Sequence, residues 1–157
     1  MARSSDSRVS QVAVPPDARA LSTVARVDYE DAFLAEAEQA EKRTGEQWAR
    51  AFLEDPPLKT RRTLRAGWFA LGLQLGPTES ERLVLGWEVR RRGPDFALLA
   101  ARSALGMEGE VLVKRGENTL LVATFLQLEN LLARVVWAGA QHGHRRAVQD
   151  LLARATR

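Results

Sequence analysis

The chain contains two histidines, His142 and His144, and no cysteine. Residues two apart on a helix point about 200° away from each other, so these two imidazoles cannot share a metal as an i, i+4 pair would. A sequence without cysteine has no disulfides, thiolate metal sites or cysteine nucleophile, and it points to the cytoplasm. Neither a metal nor a cofactor is expected. His144 precedes Val148 by four residues and Leu151 by seven, which places it on the sheet-facing side of a terminal helix. There it reads as a core histidine with a satisfied hydrogen bond, as a ligand contact or as a general base. His142 reads as solvated.

Arg102 is the second candidate. If Phe96, Leu98 and Ala100 face the core, Arg102 ends on the same face and needs an acidic partner or ligand. The opposite register exposes it. Glu88, Glu108 and Glu110 are expected on the outer, solvated face of a sheet. Ser80 and Ser103 lack the surroundings of a nucleophile elbow. Gly67, Gly72 and Gly76 do not form a phosphate loop. The four tryptophans, Trp48, Trp68, Trp87 and Trp137, fall one to each major element. Core packing is the default for each. Converging rings would instead line an apolar pocket in which indole N–H groups act as polar handles. The expected lining is Trp68, Trp87, Arg102, Phe125, Trp137 and His144.

The elements that must position these residues follow from periodicity. The 157 residues suffice for one domain with a real core. Residues 1–18 are polar, aperiodic and contain Pro15-Pro16, and read as a flexible arm ahead of a single domain over 19–157. Around residues 28–37, Tyr29, Asp31, Phe33 and Ala35 alternate with Glu30, Ala32, Leu34 and Glu36, which favours a strand. Thr44 followed by Gln47 has the capping-box pattern for a short helix that Pro56-Pro57 stops. A second helix is expected from residue 58 to about 73, with Leu64, Trp68 and Leu71 on one face.

Four strand-like segments then occupy residues 83–128. The first alternates Leu83, Leu85, Trp87 and Val89 with Val84, Gly86, Glu88 and Arg90. The last, 119–128, is apolar on both faces and belongs in the middle of a sheet or against a second copy of the chain. A helix over 130–157 closes the chain, with Gly139 and Gly143 marking a bend or a close approach. The expected architecture is α+β: a curved, helix-grip-like antiparallel sheet of about five strands, two short helices and a long C-terminal helix.

Charge adds little. The formal net charge is +3 and the pI about 9.9, yet basic and acidic residues are interspersed and aromatics do not alternate with arginine, so no nucleic-acid partner is expected. No stretch reaches the roughly 18–20 apolar residues of a membrane span.

Leu85-Gly86-Trp87-Glu88-Val89, Ala123-Thr124-Phe125 and the tail His144-Arg145-Arg146-Ala147-Val148 with Leu151-Leu152 resemble the START-like (SRPBCC, helix-grip) superfamily. They look most like its uncharacterised actinobacterial DUF2867 and polyketide-cyclase-like members. The resemblance spans roughly residues 28–155. It implies a hydrophobic cavity between the sheet and the terminal helix but no fixed reaction. Three functions are therefore expected as alternatives: binding of a small hydrophobic or aromatic molecule, a cyclase or dehydratase using His144 or Arg102, or a non-catalytic protein that assembles, as a homodimer for example, through its apolar sheet.

Overall fold

The computed structural model describes residues 9–157. Seven strands form one antiparallel, curved sheet: β1 (Val9–Val12), β2 (Tyr29–Glu36), β3 (Leu83–Val84), β4 (Trp87–Arg92), β5 (Phe96–Ser103), β6 (Met107–Arg115) and β7 (Thr119–Leu128), in the order β1-β2-β7-β6-β5-β4-β3. The helices are α1 (Pro16–Arg19), α2 (Gly45–Leu53), α3 (Leu58–Ala70) and α4 (Leu131–Ala155). The α+β class and the long C-terminal helix agree with the sequence reading. Seven strands replace the expected five or so.

The two additional strands have separate causes. The first lies in the expected arm, where Val9–Val12 pairs antiparallel with the 32–35 stretch of β2. Residues 1–8 of that arm lie outside the described residues, but 9–18 are not free. Ala18 is fully buried, and Val12, Val14, Leu21, Val24 and Val27 pack beside it on one face of the sheet. Scattered valines, too sparse to show a period, supply that contact. The second comes from dividing the segment read as one strand from residue 83. Leu85 and Gly86 have φ of 47° and 91°, and Val84 pairs directly with Trp87. Two consecutive left-handed residues between paired strands make a tight hairpin of the I′ kind. Simple alternation across that point therefore does not describe one strand.

Both faces of the sheet are covered. On one, Phe33, Leu99, Val113, Leu120 and Val122 pack against Trp48 and Phe52 of α2 and Val148, Leu151 and Leu152 of α4. On the other, Leu98, Leu112, Ala123 and Phe125 meet the N-terminal segment. This explains the doubly apolar β7, which runs between β2 and β6. Its two faces are occupied from within the chain.

Local signals place the helices. Thr44 and Gln47 form the capping box at the start of α2, with both reciprocal bonds present. The Asn130 side chain accepts from the Ala133 N–H at 2.8 Å and caps α4. At Gly139 and Gly143 an added Cβ would meet open space, so neither marks a close approach. α3 differs from the other long helices because none of its thirteen residues is buried. It lies over the sheet edge of the cavity described next, with Phe69 83% exposed.

Candidate functional site

Strand alternation sends Asp31 and Tyr29 of β2, Thr124 and Leu126 of β7 and Trp87 of β4 to the face that α4 crosses. α4 contributes Trp137 and His144, and α3 contributes Leu64 and Trp68. Leu64, Trp68, Trp87, Thr124, Leu126, Trp137 and His144 line a predominantly apolar cavity of about 80 Å³, with Asp31 and Tyr29 behind His144 and Trp137. The Trp68 and Trp87 rings meet edge to face at 5.5 Å between centroids. Trp137 makes similar contacts with Tyr29 at 5.0 Å and with His144 at 5.1 Å. Three of the four tryptophans thus converge. Trp48 does not: its Nε1–H donates to the Ala40 carbonyl at 2.9 Å, away from the cavity.

The polar part of the site is a chain of side chains at one end. His144 Nε2 lies 3.3 Å from Asp31 Oδ2, and the Asp31 side chain is 1% exposed. The Tyr29 hydroxyl donates to the same Oδ2 at 2.6 Å and accepts from Arg145 Nε at 3.0 Å. Burial, followed by the hydrogen bond to Asp31, pushes the Tyr29 hydroxyl up to about 12, so the phenol keeps its proton at any physiological pH. Its hydrogen bond to Tyr29 likewise raises Arg145 above the ordinary arginine value.

Among the described residues, five buried side-chain polar atoms find no hydrogen-bond partner: Asp31 Oδ1, Trp87 Nε1, Thr124 Oγ1, Trp137 Nε1 and His144 Nε2. All belong to the residues just described. Buried polar groups are ordinarily paired, so five together in one region set this region apart from the rest of the core.

Of the six residues expected to line the pocket, Trp68, Trp87, Trp137 and His144 do so. Arg102 and Phe125 do not. Inward-facing Ala97, Leu99 and Ala101 send Arg102 to the other face, where it is 70% exposed and pairs with Glu108 at 3.5 Å. Phe125 is directly opposite Glu110 and is buried against the N-terminal segment on that same far face. Its neighbours Thr124 and Leu126 take the cavity side. Asp31, Tyr29, Thr124 and Arg145 were absent from the sequence-derived site. One signal for Asp31 existed: an acid on the strand face shared by two aromatics, Tyr29 and Phe33.

Trp87 supplies a test of this register. Its side chain is 5% exposed and packs under α3, whereas Glu88 points outward, 62% exposed, and pairs with Arg90 at 3.3 Å. Trp87→Ala is expected to cost about 3 kcal/mol, and Glu88→Ala less than about 0.5. Urea unfolding of the two variants checks this. Equal costs would contradict the assignment of faces.

Among the described residues, no cluster of three or more His, Asp or Glu side chains could hold a metal, and no helix is long and apolar enough to cross a membrane. No family profile matches the chain, and no curated protein does so significantly. Two solved structures are similar to it. A protein from Arthrobacter aurescens, determined in solution by NMR, is 18% identical over 85% of this chain and 92% of its own, with a TM-score of 0.42. The crystal structure of CalU16 from Micromonospora echinospora is 13% identical over 81% of this chain and 85% of its own, with a TM-score of 0.34.

Proposed function

We propose that this chain binds a small, largely apolar molecule carrying one hydrogen-bond acceptor in the cavity between the sheet and α4. The observation that carries the reading is the set of buried indole and hydroxyl groups without protein partners, at Trp87, Trp137 and Thr124, in an otherwise apolar enclosure. A ligand oxygen would satisfy one or more of them while its hydrocarbon part replaces water against the walls. A long C-terminal helix across a curved sheet is also the arrangement implied by the START-like resemblance. The finer assignment to the DUF2867 and polyketide-cyclase-like proteins belongs with this proposal.

Size limits the ligand. A dry cavity of about 150 Å³ takes benzene; this one, at about 80 Å³, takes a smaller guest as it stands. α3 is the wall most able to yield, since it buries none of its residues and opening it sacrifices the least packing. Compounds from butanone to cyclohexanone and phenol span the range from a closed to a displaced α3.

Nitrogen-15 NMR titration tests the proposal with an internal control. The Nε1–H signals of Trp87 and Trp137 are expected to shift, while that of Trp48, bonded to Ala40, stays in place. Ala147 also lines the cavity, so Ala147→Phe fills it and should weaken binding at least about tenfold, as lost cavity volume implies. If none of these compounds moves the two pocket indoles, the binding reading is wrong.

A further inference from the structure

We propose that His144, beside Asp31, is a general base that removes a proton from the carbon next to the carbonyl of a small ketone bound in this cavity. The inference rests on the binding reading above and adds a reaction to it.

The unpartnered hydrogen-bond groups of the lining residues determine the ligand's polar atom. An indole nitrogen can only donate, and Trp87 and Trp137 both bring buried N–H groups without protein partners. The ligand must therefore supply an acceptor. Apolar walls make a neutral acceptor cheaper to desolvate than an anion, and a carbonyl oxygen is the simplest neutral one. Bonding that oxygen to N–H donors draws electron density away from the neighbouring carbon and makes its C–H acidic. A base close to the donors completes the requirement. The His144 ring lines the same cavity and lies 5.1 Å, centroid to centroid, from Trp137. A carbonyl oxygen and its α-carbon are close enough together to meet both.

Asp31 offers the imidazole a partner. His144 Nε2 lies 3.3 Å from Asp31 Oδ2 without the alignment of a hydrogen bond; a turn of the ring that lets Nε2–H donate to Asp31 leaves Nδ1 as the basic nitrogen. A carboxylate 1% exposed also balances the charge of the imidazolium once it forms. Tyr29, donating to the same Oδ2 and braced by Arg145, prevents Asp31 from swinging away. Asp31 and Tyr29 are positioning residues; His144, Trp137 and Thr124 touch the substrate.

The step balances without a co-reactant. The α-C–H bond breaks, its proton goes to His144, and its electron pair forms the C=C bond of an enolate. The negative charge rests on oxygen, where the unpartnered Trp137 N–H and Thr124 O–H of the cavity lining can donate to it. Reversal returns a proton from the imidazolium to carbon, and in D₂O it returns a deuteron.

Exchange of α-hydrogens for deuterium, followed by proton NMR with butanone and cyclopentanone in D₂O, is the direct assay. The protein should accelerate exchange well beyond an equal concentration of free imidazole. His144→Gln should lower the rate about 100-fold or more, the usual contribution of a general base, while the Trp87 and Trp137 indole shifts on ketone binding persist. His144→Asn serves as the second variant, with circular dichroism confirming the fold of each. Asp31→Asn should lower kcat about 10- to 100-fold with KM little changed, a split that loss of folded protein alone would not produce. His142→Gln, on the exposed side of α4, should leave the rate unaltered. Ketones that shift the indoles but exchange no faster than with free imidazole overturn the catalytic proposal and leave binding standing. Ketones that shift no indole overturn both.

Discussion

Glu110→Ala is expected to cost about 3 kcal/mol, the upper end of the range for leaving buried donors without an acceptor. Glu110 is fully buried in the middle of β6; it borders the cavity, while its carboxylate is bonded on the opposite face of the sheet. Its carboxylate accepts from Ser22 Oγ at 2.6 Å, from the Thr23 N–H at 3.1 Å to each oxygen, from Thr23 Oγ1, and from Arg90 Nη1 at 3.3 Å. Four donor groups around one carboxylate tie the segment that follows α1 to the sheet. Removing it leaves the Thr23 N–H and the Ser22 hydroxyl with no acceptor there, and Arg90 with Glu108 and Glu88 as its remaining carboxylates. The apolar cover over Phe125 and Leu98 is expected to loosen with them. Urea unfolding gives the cost, and hydrogen exchange should show faster exchange at Leu21, Ser22 and Thr23. A loss below about 1 kcal/mol would show that the N-terminal segment holds to the sheet without this clamp.

Glu110 also shows where the sequence stops being legible. Strand alternation correctly sends Glu88, Glu108 and Glu110 to one face. What covers that face is a tertiary fact. Glu88 stays 62% exposed, whereas Glu110, two strands inward, lies beneath residues 22–23. The covering segment has no period of its own, since its valines pack singly and its backbone is mostly irregular. The same blind spot hides β1 and leaves Arg102 and Phe125 on the wrong side, because the two faces of the 96–103 strand, and those of the 119–128 strand, are nearly equally apolar. Leu98 and Leu99 are both fully buried. By contrast, β2, the capping box of α2, the bounds of β5 and the Asn130 start of α4 rest on local chemistry and were readable. At the site, Trp68, Trp87, Trp137 and His144 were readable because large aromatic and apolar side chains in several elements must converge on a common interior. The Asp31–His144 pair joins opposite ends of the chain. Only the pairing of β2 with β7 beneath α4 brings the two residues together.

Gly45→Ala should be the most damaging single-methyl change in the molecule, with a cost above about 4 kcal/mol and beyond the ordinary range for overpacking. Gly45 opens α2, where its N–H donates to the Pro94 carbonyl at 3.1 Å. A Cβ there would lie 2.2 Å from the carbonyl carbon of Phe96 and 2.3 Å from its Cα. Backbone atoms of a paired strand cannot move aside as a side-chain tip can. Phe96 is held in register opposite Lys114, so the helix must move instead. Any such shift carries Trp48, Ala49 and Phe52 off the sheet, and with them part of the core that α2 shares with α4. Phe52 and Leu53 also line the cavity, so the damage should reach ligand binding. Gly139→Ala is the matched control. Its Cβ meets open space in a helix interior, where replacing glycine gains up to about 1 kcal/mol. Thermal unfolding of both variants should move the midpoint in opposite directions. A Gly45→Ala protein as stable as the parent would show that α2 does not approach the 93–96 turn this closely.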